Sequence, residues 1–300
     1  MKFQDIHPED KPLLQPYLSL KTDKCCDLAF GNLYLWSKKF VVKYAIENDC
    51  LLFRKLPTPG SYCFPCGEDE RVRELIARMC GSAQEKKEPF SLYLVSPADY
   101  KKLERWFPGV FQVTYDRDLA DYVYETKDLI RLAGQKYHGK RNHINKFKSL
   151  YPDWSYEALN RENAEECFQM VMQWRNANNC EEDEDKRHEV AVTMNALRLF
   201  EELGLSGGLI RAKGRVVAFT VGEELNDDMF VIHIEKAFAD VSGAYPMINQ
   251  QFLRQEAASY RYVNREEDTG SPGLRKAKLS YHPAFLMQKG IAVPVRDLQA

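Results

Sequence analysis

Hydrophobic residues recur along the first part of the chain with two periods, one typical of helices and one typical of strands. Segments near 10–19 and 27–37 show helical spacing. FVVKYAI (40–46) and LLFRKL (51–56), joined by the turn ENDC, are typical of a β-hairpin. The elements predicted to follow are a strand at 61–64, a helix at 69–80, a strand at 91–95, a helix at 96–107 and strands at 111–115 and 121–125.

The same order of elements recurs after residue 150. A strand at 154–159 and helices near 161–178 and 186–203 precede a hairpin built from SGGLIRA and VVAFTVGEEL. The other predicted elements are a strand at 229–235, a helix at 244–260, a strand at 260–264, a helix at 271–279 and final strands in AFLMQKG and IAVPV. Each half therefore contains two helices, a hairpin, a strand, a helix, a strand, a helix and two strands.

This order is the one found in the GNAT acyltransferase fold. The chain is therefore predicted to be an α/β protein with mixed (α+β) sheets, built as two tandem GNAT-like domains. The predicted boundaries are 1–126 for an N-terminal domain, 127–150 for a basic linker helix and 151–300 for a C-terminal domain. A length of 300 residues with 44% hydrophobic content is sufficient for two cores.

The charge balance restricts the classes of partner. A net charge of −2 excludes a generally polycationic nucleic-acid-binding protein, so a polyanion must be met by a local patch. No apolar run approaches the length of a membrane span, and the N-terminus MKFQDIHPEDK is charged where a signal peptide is apolar. We therefore predict a soluble, cytoplasmic protein without integral membrane association.

The eight cysteines raise the alternatives of disulfides and a zinc site. Only Cys63 and Cys66 form a CxxC pair, and no second pair or CxxxH partner follows at ligand spacing. Because the chain shows no secretory signal, we predict reduced, mostly buried thiols and no metal.

One purely basic stretch, YHGKRNHINKF (137–147), lies in the predicted linker, and no carboxylate occurs from residue 131 to residue 149. Such a stretch is predicted to hold a phosphate-bearing donor. Ile144 and Phe147 are three positions apart, so they lie on the same side of the predicted helix, which is expected to be its packed face. The residues predicted to hold the donor phosphates are Lys140 and Arg141, and those predicted to orient the donor are Asn142 and Asn145.

A GNAT domain holds a pyrophosphate at the start of the helix after its fourth strand, where backbone N–H groups lack helical partners. In the N-terminal half, Glu68, Asp69 and Glu70 occupy this helix start and repel phosphate, so that half is predicted to be a non-catalytic scaffold. The C-terminal counterpart is ADVSGAYPM (239–247). Its predicted phosphate-binding residues are Ser242, Gly243, Ala244 and Tyr245.

This loop departs from the GNAT phosphate motif, which has glycine or alanine where this chain has Tyr245. Pro246 also removes an N–H donor. The alternative interpretation is an ordinary turn at a helix N-terminus. Coenzyme A or an acyl-CoA is therefore a possible cofactor that the motif alone does not establish.

The preceding strand, MFVIHIE (229–235), alternates so that His233 and Glu235 share one face. A polar pair on a central strand is costly unless it is hydrogen-bonded or lines a cleft. We predict that Glu235 or His233 accepts a proton from an attacking nucleophile. The alternative is a buried pair that satisfies itself.

The polar loop and helix after the next strand supply the remaining candidates. Arg275 and Lys278 lie one turn apart and are predicted to hold donor phosphates, with a solvated helix face as the alternative. Tyr281 is predicted to protonate the leaving group. The residues predicted to orient the substrate are Asn264, Arg265 and Asp268.

Four ordered motifs resemble the phosphatidylglycerol lysyltransferase C-terminal-domain-like family, whose members have a tandem GNAT fold. They are GKRNHINKF (139–147), EKA (235–237), GAYPMIN (243–249) and NREEDTGSPGLRKAKLSYHP (264–283). The resemblance implies acyl transfer with the 3′ end of an aminoacyl-tRNA as donor, because the best-understood relatives transfer an aminoacyl group to a lipid headgroup. Those relatives carry the domain on a multi-span membrane protein, which leaves the acceptor of this chain open.

Three functions follow from these observations. The first is transfer of an aminoacyl or acyl group from aminoacyl-tRNA or acyl-CoA to an amine or hydroxyl. The second is coenzyme A-dependent N-acetylation of a small molecule. The third is a non-catalytic RNA-binding module, although no aromatic stacking ladder supports it. The acidic run EEDED (181–185) is predicted to be solvated, with contact to a cationic acceptor as the alternative.

Overall fold

The computed structural model describes residues 1–23 and 25–298. The strands are β1 Gln4–Asp5, β2 Val42–Glu47, β3 Cys50–Lys55, β4 Ser61–Cys63, β5 Ser91–Val95, β6 Phe111–Tyr115, β7 Asp121–Glu125, β8 Ser155–Ala158, β9 Ser206–Ala212, β10 Arg215–Asn226, β11 Met229–Ala237, β12 Tyr262–Asn264, β13 Phe285–Met287 and β14 Gly290–Pro294. The helices are α1 Lys11–Leu18, α2 Phe30–Phe40, α3 Asp69–Lys86, α4 Pro97–Trp106, α5 Thr126–Arg131, α6 His138–Leu150, α7 Arg161–Ala177, α8 Glu184–Arg198, α9 Ala244–Glu256 and α10 Pro272–Leu279.

These elements confirm the predicted α/β fold class and the repeated element order. They form two seven-stranded mixed sheets, with the orders β1-β2-β3-β4-β5-β14-β6 and β13-β7-β12-β11-β10-β9-β8. Each sheet contains antiparallel pairs and also a parallel pair, which is β4 with β5 in the first sheet and β11 with β12 in the second. The two sheets therefore have the GNAT-like arrangement in tandem.

Local sequence explains several helix boundaries. Ser96 and Asp99 form a capping box at the start of α4, in which each side chain accepts a hydrogen bond from the other residue's backbone N–H. Asn160 and Asn163 do the same for α7. In the acidic run, Asp183 accepts from the backbone N–H of Lys186 and caps α8. The run thus begins a helix, where negative charge is favourable.

The chain separates into two compact units. The first consists of Met1–Asp121, Glu267–Gly270 and the C-terminal stretch from Leu286, and the second of Tyr122–Glu266 and Ser271–Phe285. In the first unit α3 packs Val72, Leu75 and Ile76 into a core with residues of β3 and β5. No helix among residues 1–23 and 25–298 is long and apolar enough to cross a membrane.

The predicted boundaries at 126 and 151 differ from these units in the placement of two strands. Strand β7, assigned to the N-terminal domain, pairs antiparallel with β12 in the second sheet. Strand β14, assigned to the C-terminal domain, lies between β5 and β6 in the first sheet. Alternating hydrophobicity reports which face of a strand is buried and not which strand is its neighbour, so the sequence pattern did not reveal this exchange.

The predicted linker at 127–150 is part of the second unit. Ile144 and Phe147 of α6 pack with Met247 and Ile248 of α9 in the core of this unit. Gln250 Nε2 also donates to the carbonyl of Ile130 at 2.9 Å. The packed face predicted for Ile144 and Phe147 is therefore confirmed, whereas the description of the segment as a linker between domains is wrong.

Candidate functional site

The candidate site lies in the second unit, where two parallel strands end at different levels. Strand β11 pairs with β12 only through Met229, Phe230 and Val231, because β12 ends at Asn264. Beyond that point the side chains of the loop after β12 bond to β11: Arg265 to Glu235 and Glu266 to His233. Polar groups therefore converge where the strands part, which is a common position for ligand sites in α/β proteins.

Glu235 accepts a hydrogen bond on each carboxylate oxygen. Arg265 Nη2 donates to Oε1 at 2.9 Å, and Asn249 Nδ2 of α9 donates to Oε2 at 2.9 Å. The Glu235–Arg265 ion pair is mostly buried, with 12% of each side chain exposed. Both groups are thus held in one geometry inside the unit.

Lys140 of α6 completes this cluster. Its Nζ lies 3.7 Å from the centroid of the Tyr281 ring, and the Arg265 guanidinium lies 4.8 Å from the same centroid. Burial and the neighbouring Arg265 charge lower the pKa of Lys140 to about 8, although Glu235 opposes them. The amine therefore has a substantial neutral fraction near physiological pH, which is unusual for a lysine.

Tyr281 is buried, and burial raises the pKa of its phenol above the ordinary value, while the Arg265 charge opposes this. The phenol therefore carries its proton at neutral pH. Lys278 Nζ donates to the carbonyl of Arg265 at 2.6 Å, and Tyr124 O–H donates to the carbonyl of Lys278 at 2.8 Å. Lys278 thus holds the backbone of the loop that presents Arg265.

One donor of this cluster has no acceptor. Arg265 Nη1 is buried and makes no hydrogen bond to any residue that the structure describes. A buried, unsatisfied donor on a charged group is costly, so the Glu235 and Tyr281 neighbours of Arg265 have to hold this guanidinium in place.

The predicted role of His233 as a proton acceptor is contradicted by its contacts. Its Nε2 lies 2.9 Å from Glu223 Oε1 and its Nδ1 lies 2.8 Å from Glu266 Oε1. Although burial opposes it, these two carboxylates raise the pKa of His233 to about 9. The ring is therefore a charged, fully bonded structural group at neutral pH, close to the alternative of a satisfied buried histidine.

We expect His233 to make stability depend on alkaline pH. Its folded pKa of about 9 exceeds the unfolded value of 6.5, so its stabilisation is complete below pH 6.5 and is lost as pH rises through about 9. The difference corresponds to about 3 kcal/mol. Urea unfolding of wild type and His233→Gln should differ most at pH 6 and least near pH 10. The opposing titration of Lys140 is common to both proteins, and a difference independent of pH would contradict the assignment.

The loop from Ser242 to Tyr245, which is predicted to bind phosphate, packs against α6. Gly243 has φ 85°, and an added Cβ would lie 2.3 Å from the carbonyl oxygen of His143, so packing against α6 requires this glycine. The N–H of Ala244 donates to Val241 O, and that of Met247 donates to Gly243 O. Because Pro246 has no N–H, this helix start has one donor fewer than an ordinary helix N-terminus.

Four other predicted site residues have structural partners. Arg141 Nη1 donates to the carbonyls of Leu132 and Gly134 beyond the end of α5. Asn264 Oδ1 accepts from the N–H of Glu266 at 2.7 Å and shapes a turn. Asp268 Oδ1 accepts from the N–H of Gly270 at 2.9 Å and belongs to the first unit, and Asn142 Nδ2 lies 3.0 Å from His138 Nε2. Of the remaining candidates, Arg275 is half-buried on α10 and Asn145 is exposed on α6.

Asn249 and Tyr124 support the cluster from α9 and β7, and neither is predicted by the sequence pattern. Asn249 begins a run of three buried amide-bearing residues in an otherwise apolar helix, Asn249, Gln250 and Gln251. A polar side chain on the core-facing side of an amphipathic helix is a signal that it has a buried partner. No local pattern identifies Tyr124, because its role depends on the strand exchange.

A second buried charge cluster lies in the first unit. Lys289 Nζ contacts Asp27 at 2.6 Å, Asp121 at 2.7 Å and Glu267 at 3.2 Å. Together with Cys25 and Cys26 these carboxylates form two overlapping sets of possible metal ligands. The lysine ammonium already supplies a cation to them. All eight cysteines are buried free thiols, as predicted.

Comparison with known proteins identifies the family. The family model described as "Phosphatidylglycerol lysyltransferase, C-terminal" matches residues 20–289. The chain belongs to this family. A conserved protein of unknown function from Bacteroides thetaiotaomicron is 36% identical, with a TM-score of 0.89 over 98% of this chain and 99% of that one.

Two further solved structures share the fold at low identity. The C-terminal domain of a putative lysylphosphatidylglycerol synthetase from Agrobacterium fabrum is 13% identical, with a TM-score of 0.65 over 96% of this chain and 92% of that one. L-PGS from Bacillus licheniformis is 14% identical, with a TM-score of 0.64 over 99% and 96%. An uncharacterized protein of Mycoplasmoides gallisepticum is 26% identical over 173 residues, which are 57% of this chain and 54% of that relative. The match thus spans about half of that relative's length.

Proposed function

We propose that the chain is an acyltransferase that moves an aminoacyl group from aminoacyl-tRNA to an amine or hydroxyl acceptor. The observation that carries this proposal is the buried cluster of Glu235, Arg265, Lys140 and Tyr281, in which Lys140 has a pKa of about 8. Membership of the phosphatidylglycerol lysyltransferase C-terminal family and the GNAT-like sheets support the reaction class.

In this proposal the neutral amine of Lys140 accepts the proton of the attacking N–H or O–H group. The nucleophile forms a bond to the acyl carbon, and the carbonyl oxygen becomes an oxyanion. The positive charge of Arg265, which acts on the adjacent Lys140 amine, stabilises that oxyanion. The bond to the ribose oxygen of the donor then breaks, and the leaving oxygen takes a proton from Tyr281 or from the Lys140 ammonium.

Glu235 has a positioning role here. Because both of its oxygens accept hydrogen bonds, from Arg265 and Asn249, its carboxylate fixes the position of the guanidinium. This replaces the earlier prediction that Glu235 is the proton acceptor. Lys278 fixes the same loop through the carbonyl of Arg265, and so acts on the donor site indirectly.

Two observations favour aminoacyl-tRNA over coenzyme A as donor. At the start of α9 the N–H of Ala244 is occupied and Pro246 has none, so this helix start offers fewer donors to a coenzyme A pyrophosphate than a GNAT site does. Helix α6 carries Lys146 and Lys148 as exposed cations near the cluster residue Lys140, which suits the backbone of a nucleic acid.

Assays with two labelled donors test the proposal. The chain is incubated with tRNA charged with radiolabelled amino acids or with radiolabelled acetyl-CoA, and offered phosphatidylglycerol vesicles, soluble amines or buffer alone. We expect transfer from aminoacyl-tRNA to at least one acceptor, at a rate that falls steeply between about 50 and 200 mM salt. Transfer from acetyl-CoA alone would favour the N-acetyltransferase alternative. RNA binding without turnover of either donor would favour a binding module.

A further inference from the structure

The end of helix α2, in the first unit, places apolar side chains in solvent. Phe40, the last residue of the helix, is 42% exposed, and Val41, which follows it, is 45% exposed. The earlier apolar residues Phe30, Leu33 and Leu35 of the same helix are buried. The helix therefore ends in an exposed apolar surface, in a part of the chain that has no role in the proposed acyl transfer.

Val41 has a backbone conformation that valine seldom adopts. Its φ of 46° and ψ of 51° lie in the left-handed region, and its N–H donates to the carbonyl of Ser37. Glycine, or sometimes asparagine, is usual at this position of a helix, because a β-branched side chain is strained there. Packing does not require the valine, since nearly half of the residue is in solvent. A strained residue without a packing role is typical of functional sites.

Lysine ammonium groups lie against the aromatic rings at this helix end. Trp36 and Phe40, one turn apart, stack with 5.7 Å between their ring centroids. Lys39 Nζ lies 5.4 Å from each of these centroids, and Lys55 Nζ of β3 lies 4.9 Å from that of Phe40. All three distances are within the range of cation–π contact. Two positive charges are therefore held beside the exposed ring.

The chain segment that forms this surface is basic. Residues 28–46 contain three lysines and no carboxylate. Lys43 pairs with Asp5 at 3.0 Å. Lys55 lies near enough to Asp27 to attract its carboxylate, which the lysine of the buried charge cluster already binds at 2.6 Å. The surface thus combines exposed apolar groups with an excess of positive charge.

This combination fits an anionic lipid surface better than a nucleic acid. Lysines are attracted to anionic headgroups, aromatic rings lie at headgroup level, and aliphatic side chains enter the boundary with the acyl chains. A single-stranded nucleic acid stacks its bases on free aromatic faces. Here the Phe40 ring already stacks on Trp36 and contacts two ammonium groups, and the aliphatic Val41 offers no face for stacking.

We propose that the α2 patch, which consists of Trp36, Lys39, Phe40, Val41 and Lys55, docks the chain on the surface of an anionic lipid bilayer. Val41 and the edge of the Phe40 ring enter the boundary between headgroups and acyl chains, and the two lysines lie among the phosphates. The contact is peripheral and reversible, because it consists of a few side chains.

Sedimentation of the full chain with vesicles tests the proposal. The vesicles contain phosphatidylcholine with or without phosphatidylserine, and no acyl donor is added, so that lipid binding is measured apart from acyl transfer. We expect binding to the phosphatidylserine vesicles that weakens as salt is raised, and binding to phosphatidylcholine alone that is at least about ten-fold weaker. The double variant Lys39→Gln, Lys55→Gln should bind the anionic vesicles roughly ten- to thirty-fold more weakly, about five-fold for each charge.

Val41→Gly separates lipid contact from folding. Glycine removes the apolar side chain and also the strain at this position, so the variant should melt no lower than wild type. It should nevertheless bind the anionic vesicles roughly three- to ten-fold more weakly, because it buries less apolar surface. Leu119→Ser is the matched control, since Leu119 is 44% exposed elsewhere in the first unit. This control should bind the vesicles as wild type does.

Three results would contradict the proposal. The first is that wild type does not bind phosphatidylserine vesicles, or binds phosphatidylcholine vesicles equally well. The second is that Val41→Gly binds as wild type does, or that Leu119→Ser loses as much binding as Val41→Gly. The third is that tRNA, and not the vesicles, binds in a manner that the double lysine variant weakens, because the patch would then be a nucleic-acid surface.

Discussion

Replacing Lys140 with methionine should reduce acyl transfer by roughly a hundred- to ten-thousand-fold, the usual contribution of a general base. Methionine keeps the stem over the Tyr281 ring and removes the amine that accepts the proton. The amine is half-buried beside the like charge of Arg265, and both conditions disfavour its charged form. Its removal should therefore not lower the free energy of unfolding. The measurement is single-turnover transfer from the donor identified in the assay above.

The pH dependence separates proton acceptance from simple attraction of a donor. Burial and Arg265 lower the pKa of Lys140 to about 8, so the wild-type rate should rise with pH through about 8 and then level off. The residual activity of Lys140→Met should not show this rise with pH. Lys140→Arg keeps the positive charge but cannot act as a base near neutral pH, so it should bind the donor and fail to turn it over.

Lys101→Met is the control, because Lys101 is an exposed cation on α4, outside the cluster and outside the basic stretch of α6. This variant should retain the maximal rate of transfer and the rise of that rate with pH. If Lys140→Arg were as active as wild type, Lys140 would be a donor-binding charge and not the proton acceptor. If the wild-type rate did not change between pH 7 and pH 9, the base would have to be another group.

Lys289→Met should have the largest effect on stability, a loss of about 3–5 kcal/mol in the free energy of unfolding. The ammonium is paired with Asp27, Asp121 and Glu267, and only 6% of the lysine side chain is exposed. Its removal leaves negative charges inside the protein without a counter-ion. Asp121 is the most affected, since its side chain is fully buried.

The destabilisation caused by Lys289→Met should become smaller as the pH falls. Despite burial, Lys289 holds the pKa of Asp27 below its ordinary value, so this interaction is present above pH 4 and is lost on acidification. The difference between wild type and Lys289→Met should therefore shrink as pH falls and the carboxylates become protonated. Urea unfolding at pH 7 and at about pH 3, below the ordinary aspartate pKa, measures it, with Lys101→Met as a surface control. A variant as stable as wild type at pH 7 would show that the cluster does not need its cation.

The sequence predicted the order of elements well because that order depends on local physics. Helical and alternating periods, the capping boxes at Ser96 and Asn160 and the turn ENDC act within a few residues of each other. The shared face of His233 and Glu235 followed from strand alternation alone. The motif at 264–283 indicated Arg265, Lys278 and Tyr281 as functional candidates, and the structure brings these side chains into one cluster.

The roles within that cluster required the tertiary structure. The same alternation that placed His233 beside Glu235 could not show that Glu223 and Glu266 bond both of its ring nitrogens. Lys140 looked like a phosphate-binding cation in a basic stretch, yet its pKa depends on burial next to Arg265, which is 125 positions away in numbering. A pKa responds to the charges and solvent around a group, and neither is encoded locally.

The sequence by itself therefore determined the fold class, the tandem element order and several of the polar residues that meet in the cluster. The tertiary structure alone decided that β7 and β14 exchange sheets, that α5 and α6 belong to the second unit and that Lys289 neutralises three carboxylates. Strand pairing and buried ion pairs depend on contacts between distant segments. Such contacts are selected by the packing of the whole unit and leave no periodic signal in the chain.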